Sequence, residues 1–364
     1  MKKDYAILGI ESSCDDSALA WMQANQGFLK ECDYRQTALH QPYGGVVPDL
    51  ASREHMVWLP TLLAAFKPLL DQRLPDALAV TVGPGLAGSL AVGIACAQAL
   101  NLAWQIPIIP VNHLQAHAWS VFIEPWEKQV AQQKNDTYTP VDFIASYLRG
   151  YLPHLGLLVS GSNTLLFELG THLEFKIIAQ TLDDAAGEAL DKGAKLMGMP
   201  YPGGPLIERQ AQLGDARAYA FPKAFPQKDV WKFSFSGLKT SLRYRIEDMD
   251  DATFQQQLPH LCASYQEAVV EAVIHKAQQA LSQKLNDYKS FGLSGGVAHN
   301  QRLRAACVQL TQAFDIPLFL AKKEHTGDNA AMVAFAAWLQ QKQSVEFKSE
   351  FYPSLRIDQA LGNS

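Results

Sequence analysis

His113 and His117, in the run Val111-Asn-His-Leu-Gln-Ala-His-Ala-Trp119, are the residues whose type and spacing speak most directly of chemistry. On a helix they share one face, one turn apart. Two imidazoles so placed can share a divalent transition metal. The residues between them are Leu-Gln-Ala, so the glutamate that serves a His-Glu-x-x-His protease as general base is missing. A metal held here would position or polarise a group and would not activate a proteolytic water. The bland reading is a pair of structural histidines. Asp328, in Thr326-Gly-Asp-Asn-Ala-Ala-Met332, offers an oxygen ligand that would complete a metal site. Equally, it suits the first turn or N-cap of the apolar helix that follows, and spacing alone does not bring it to the histidines.

Four further groups carry oxygen or amide chemistry. Asp15 and Asp16 follow Glu11 on a polar turn; they either supply turn hydrogen bonds or aim carboxylates at a reacting group. Ser160-Gly-Ser-Asn-Thr164 forms a second such tip, where Gly161 allows close backbone approach and exposed N–H groups can cradle an anion. Leu182 to Gly198 reads as a helix with Asp183 or Asp184 as N-cap and Gly198 at its end. Asp184, Glu188, Asp191 and Lys195 then share a face, either solvated or, beside Tyr201-Pro-Gly-Gly-Pro205, a ribose site with Asp191 on the hydroxyls. Ser294-Gly-Gly-Val-Ala-His-Asn300 precedes another helix, whose N-terminus suits a phosphate, with Asn300 on an adenine edge or ribose. Finally, Arg217 to Arg245 interleaves Lys223, Lys228, Lys232, Lys239 and Arg243 with Phe221, Phe225, Trp231, Phe233 and Phe235. Such a stretch fits a phosphate backbone with unstacked bases, or a solvated loop over buried aromatics.

The elements that must position these groups come in repeated pairs. Ala6 to Trp21 and Leu155 to Leu169 each read as strand, polar turn, strand. Ala77 to Ala103 and Phe291 to Phe314 each read as strand, glycine loop, helix. Hairpin followed later by strand-glycine-helix, twice over, predicts a duplicated α/β fold: an actin-like ATPase or sugar-kinase architecture, two lobes around a central cleft. Residues 1–124 would form the N-terminal lobe, 125–150 an insertion or linker, 151–338 the C-terminal lobe, and 339–364 a tail packing on the first lobe. A net charge of -5 excludes wholesale attraction to nucleic acid, so RNA binding requires a local patch or a partner. Five cysteines without a C-x-x-C pairing suit reduced thiols in the cytoplasm. The N-terminus lacks the long apolar core of a secretory signal. Ala77 to Val111 holds no charged residue, and Leu86 to Trp104 is long enough to span a bilayer. Gly83-Pro84-Gly85 interrupts the run, which reads better as a buried strand, loop and helix of a soluble protein.

Taken in order, the motifs are Gly9-Ile-Glu-Ser-Ser-Cys-Asp15, Tyr43-Gly-Gly-Val-Val-Pro48, Leu50-Ala-Ser-Arg-Glu-His55, Gly83-Pro-Gly-Leu86, His113-x3-His117 and Leu158-Val-Ser-Gly161. Asp183-Asp-Ala-Ala-Gly-Glu-Ala189, Tyr201-Pro-Gly-Gly-Pro205, Phe233-Ser-Phe-Ser-Gly-Leu-Lys-Thr240, Gly295-Gly-Val-Ala-x-Asn300 and Asp328-Asn329 complete the series. From about residue 6 to 335 the chain resembles the tRNA threonylcarbamoyladenosine transferase (TsaD-like) family. The resemblance implies an actin-like two-lobed fold and transfer of a threonylcarbamoyl group from threonylcarbamoyl-AMP to N6 of adenosine 37 in tRNAs reading ANN codons. It implies one divalent metal, iron(II) with zinc or magnesium as alternatives, on His113, His117 and Asp328. It implies the adenylate on Leu158, Val159, Ser160, Gly161, Ser162, Asp191, Gly204 and Asn300, and Asp15 or Asp16 as the proton acceptor. TsaB-like and TsaE-like accessory proteins, tRNA, a cytoplasmic setting and no membrane follow from the same likeness. The chain departs from the family pattern at Asn163, where a histidine is usual, and at Asp16, where a glutamate is usual. The 125–150 insertion is also longer than expected. A non-catalytic assembly partner of such a transferase and an ATP-dependent kinase of the same fold are the rival readings.

Overall fold

A computed structural model describes residues 4–132, 139–227, 229–283, 287–340, 347, 349–359 and 361. Lys228, residues 133–138 of the expected insertion and most of 341–348 lie outside the described residues. The chain divides into two compact units, one of residues 1–40, 46–150 and 321–364, the other of residues 41–45 and 151–320.

The first unit begins with strands β1 (Ala6–Glu11), β2 (Asp16–Gln23) and β3 (Gly27–Arg35), then helices α1 (Thr37–His40), α2 (Pro48–Ala65) and α3 (Lys67–Leu70). Strand β4 (Ala77–Gly83), α4 (Ala87–Trp104), β5 (Ile108–Asn112), α5 (His113–Ser120), α6 (Ile123–Gln132) and α7 (Pro140–Ser146) follow. Its sheet runs β3-β2-β1-β4-β5, antiparallel across β3-β2-β1 and parallel across β1-β4-β5. β1 and β4 are buried along their whole length, which is why they read as unbroken apolar runs and not as alternating ones. β3 alternates half-buried and exposed positions after Gly27 and carries Lys30, Glu31, Asp33 and Arg35, charges that blunt a sheet edge. α4 is the one described helix long and apolar enough to cross a membrane. Here it packs on β4 and α2, with Leu90, Ile94, Ala97 and Leu100 buried.

The second unit repeats the plan. β6 (His154–Val159), β7 (Thr164–Leu169) and β8 (Phe175–Thr181) form the antiparallel part, followed by α8 (Ala186–Leu196), α9 (Gly204–Ala211), β9 (Lys232–Phe233), α10 (Ser236–Glu247) and the long α11 (Asp251–Ser282). β10 (Ser290–Ser294), α12 (Gln301–Phe314) and β11 (Leu318–Leu320) close it. The sheet order β11-β10-β6-β7-β8-β9 matches the first sheet strand for strand, with β9 added at one edge. Leu157, Leu166, Phe233, Leu261, Tyr265 and Phe291 sit at the centre of its core.

The chain then returns to the first unit. α13 (Ala330–Gln340) is apolar all round and buried from Ala330 to Leu339, packed on β1, β2 and α5. The boundary expected at residue 338 therefore falls near 320 instead: an all-apolar helix must be enclosed, and the first sheet encloses it. The following segment also lies on this unit, where the Tyr352 N–H donates to Val82 O at 2.7 Å and the Gly85 N–H to Pro353 O at 3.2 Å.

Candidate active site

In the first unit α5 starts where β5 ends. Asn112 caps it, its side-chain oxygen accepting from the N–H groups of Leu114 and Gln115 at 2.9 and 3.3 Å. The cap fixes where the helix begins and so sets His113 and His117 on one buried face, with ring centroids 4.6 Å apart. Asp328, just ahead of α13, meets both: its Oδ1 lies 3.0 Å from His117 Nε2 and 3.4 Å from His113 Nε2. The tertiary structure thus resolves the two sequence readings of Asp328. Asn329 performs the capping, its Oδ1 accepting from the Met332 N–H at 2.9 Å, and Asp328 is free to face the histidines.

The second ring nitrogen of His113 is held from behind. His113 Nδ1 lies 3.2 Å from Glu11 Oε2 and 3.2 Å from Ser13 Oγ. Glu11, at the end of β1, is fully buried and also accepts from the Ser13 N–H at 2.5 Å and the Thr81 hydroxyl at 2.6 Å. A carboxylate behind the imidazole fixes the tautomer and directs Nε2 toward Asp328. Sequence reasoning assigned no role to Glu11. Its signal was a charged residue closing an otherwise apolar strand.

The electrostatics follow from this crowding. Burial alone would lower the His113 pKa, but the carboxylates of Asp328 and Glu11 hold it up at about 10. Burial lowers that of His117, beside a charged neighbour. Asp328 is held well below the usual carboxylate range, since the two imidazoles outweigh its burial. His117 Nδ1 is buried with no hydrogen-bond partner among the described residues. Two imidazoles and one carboxylate, their ligand atoms all within 4.8 Å of one another, form a group that could hold a metal ion.

Asp15 ends the turn between β1 and β2 and Asp16 opens β2, both half-buried. Burial raises the Asp15 carboxyl pKa. Asp16 is pushed up to about 8 by burial, then by repulsion from Asp328 and Asp15.

In the second unit the turn between β6 and β7 is braced from within: Ser160 Oγ accepts from the Asn163 N–H at 3.0 Å, and Ser162 Oγ from the Asn163 side-chain amide at 2.9 Å. A Cβ at Gly161 would meet nothing, so this backbone is open to a ligand. Leu158 and Val159 are buried in the strand and offer only backbone atoms to a ligand. Asp191, on α8, accepts from the N–H groups of Gly203 and Gly204 at 2.8 and 3.0 Å through Oδ1, fixing the glycine loop to the helix.

Three sequence readings change here. α8 starts at Ala186, so neither Asp183 nor Asp184 caps it: Asp183 accepts from Ser234, Phe235 and Ser236, and Asp184 pairs with Lys192 at 2.6 Å. The amide of Asn300 caps α12, its Oδ1 accepting from the Leu303 N–H at 2.9 Å, and its Nδ2 donates to Gln266 at 2.7 Å, which leaves one donor and one lone pair for a ligand. Glu208 accepts from the first N–H of α12, placing a negative charge where a phosphate was expected. The basic stretch is also less open than its composition suggests. Phe233 and Phe235 are buried, Phe221 and Trp231 pack against the same core, and Lys223 and Arg243 pair with Glu271 and Glu247.

Comparisons with known proteins show the family. The family model described as "TsaD: tRNA N6-adenosine threonylcarbamoyltransferase" matches residues 27–132 and 143–335. A protein of that name from Anaeromyxobacter sp. (strain Fw109-5) is 42% identical over 340 residues, covering 91% of this chain and 92% of the relative. Another from Christiangramia forsetii is 38% identical over 337 residues, covering 91% and 92%. Among solved structures, HypF from T. kodakarensis superposes with a TM-score of 0.60 at 14% identity, over 93% of this chain and 48% of that one. That likeness concerns the fold alone, and with the repeated sheets it places the chain in the duplicated actin-like ATPase and sugar-kinase (ASKHA) class. The chain belongs to the TsaD family of tRNA N6-adenosine threonylcarbamoyltransferases, acyltransferases that form threonylcarbamoyladenosine in tRNA.

Proposed function

We propose that the protein transfers the threonylcarbamoyl group of threonylcarbamoyl-AMP to N6 of adenosine 37 in tRNAs reading ANN codons, releasing AMP. The observation that carries this reading is the convergence of His113, His117 and Asp328, backed by Glu11, within a chain of this family. His113 Nε2, His117 Nε2 and an Asp328 oxygen would hold one divalent ion. Two histidines and one carboxylate favour iron(II), with zinc or magnesium as alternatives. When bound, such an ion supplies Lewis acidity toward a carbonyl oxygen.

The chain's own groups do the remaining work. Asp15 or Asp16 accepts the proton that leaves N6 as the nitrogen attacks the threonylcarbamoyl carbonyl. A raised pKa suits Asp16 to that task, since a base poised near neutrality takes and returns a proton readily. In the run Leu158 to Ser162, Gly161 offers its N–H to the adenylate phosphate, while the Ser160 and Ser162 N–H groups are held within the turn by Asn163 O and Ser160 Oγ. Asp191 and Gly204 line the ribose side, and Asn300 supports the site by holding the start of α12 in place. TsaB-like and TsaE-like accessory proteins and a cytoplasmic location without membrane attachment belong to the same reading.

The test is reconstitution with threonine, bicarbonate, ATP, tRNA and the adenylate-forming and accessory proteins. Threonylcarbamoyl on adenosine 37 is expected, and unmodified adenosine in a mixture that a known family member renders active would overturn the reading. Metal content provides a separate check: His113→Ala with His117→Ala should abolish binding, and full occupancy in that double variant would sink the site.

A further inference from the structure

The motif Leu50-Ala-Ser-Arg-Glu-His55 takes no part in the chemistry above, yet its histidine is fully buried against the acidic turn. His55, on α2, places Nε2 2.9 Å from the Cys14 carbonyl and Nδ1 2.7 Å from the Ser17 hydroxyl. A carbonyl only accepts, so Nε2 carries the hydrogen. Burial lowers the pKa of the ring, which keeps it neutral and leaves Nδ1 to accept the Ser17 hydroxyl proton. One ring therefore grips the residue before Asp15 and the residue after Asp16.

Other contacts complete the brace. The Ser89 hydroxyl donates to the same Cys14 carbonyl at 3.0 Å, and the Gln36 N–H donates to Asp15 O at 3.3 Å. These contacts hold a segment that carries two half-buried carboxyl groups side by side. We propose that His55 is a positioning residue of the transfer reaction, clamping the Cys14 carbonyl and the Ser17 hydroxyl so that Asp15 and Asp16 keep one orientation. This rests on the reading of the acidic turn as the proton acceptor.

The experiment measures kcat, KM for tRNA and metal content in the full reconstituted system for wild type, His55→Ala, His55→Gln, Ser17→Ala, Leu59→Ala, Asp15→Asn and Asp16→Asn. Leu59 is a buried core residue of the same helix, and its truncation reports a purely structural loss. Misplacement of a catalytic group by about 1 Å costs on the order of 100-fold, so His55→Ala should lower kcat by about that factor. Its KM for tRNA and its metal content should stay at wild-type levels. His55→Gln, whose amide nitrogen can reach the same carbonyl, should recover most of the rate. Should His55→Ala fail to fold, Ser17→Ala removes a single arm of the clamp and should lower kcat with an unchanged unfolding temperature. A loss in His55→Ala or Ser17→Ala no larger than in Leu59→Ala, with Asp15→Asn or Asp16→Asn inactive, overturns the positioning role. Wild-type rates in both aspartate variants overturn the reading of the turn and this inference with it.

Discussion

Among individual residues, Glu11 is the one whose charge matters most without touching a substrate. Its carboxylate sits behind His113 at 3.2 Å and is otherwise occupied by Ser13 and Thr81. Partners of this kind, behind a metal ligand, are worth about 10–100-fold in metal affinity. Glu11→Gln should weaken metal binding by that order, as read by competition with a chelator; an unchanged affinity would deny Glu11 its role. Asp16 makes a prediction about pH. Its pKa is about 8 in the folded protein and about 3.9 in an unfolded chain. Between those values the folded state holds the extra proton, so stability from this group is complete below about pH 4 and is lost as pH rises to about 8. Asp16→Asn should therefore gain stability over wild type at pH 8.5 and much less at pH 5, measured by urea unfolding at both. An equal difference at the two values would place the Asp16 pKa near its ordinary one.

At the scale of elements, the site depends on how closely β1 approaches α13. Gly9 has no side chain because the backbone oxygen of Ala330, the first residue of α13, occupies the space a Cβ would need. Asp328 lies two residues ahead of that point, so the packing of the helix start sets the carboxylate's distance to the histidines. Gly9→Ala overpacks this contact and should cost about 1–3 kcal/mol, together with a loss of metal affinity. Denaturant titration and chelator competition check the two effects, and a variant with both unchanged would show that the helix start does not govern the site. α8 and α9 illustrate the same dependence in the other unit: Asp191 is aimed inward to hold Gly203 and Gly204, a contact invisible in helical periodicity.

For the molecule as a whole, distant segments of chain meet around α5. The Asn112 side chain donates to Arg356 O at 2.8 Å and the Gln115 side chain to Ile357 O at 2.7 Å. The Gly85 N–H donates to Pro353 O, so the same late segment ties down the glycine loop after β4. Truncation after Ser349 should lower the unfolding temperature and weaken metal binding, and a truncated chain with wild-type values in both would show the segment to be dispensable. The repeated hairpin and strand-glycine-helix units were legible along the chain, because alternating or continuous apolar runs and glycine loops are local signals. The His113 and His117 pair was legible in the same way, since a spacing of four within one helix needs no tertiary information. The features that had to await folding are non-local. Asp328 reaches the histidines across 211 residues, and Glu11 reaches His113 across 102. Asn300 and Asp191 are engaged by their own unit, and α13 belongs with the first sheet. The physical reason is common to all of these: a carboxylate or amide side chain has the same local preferences whether it caps a helix, braces a loop or faces a metal. Only the partner brought to it by packing distinguishes these roles.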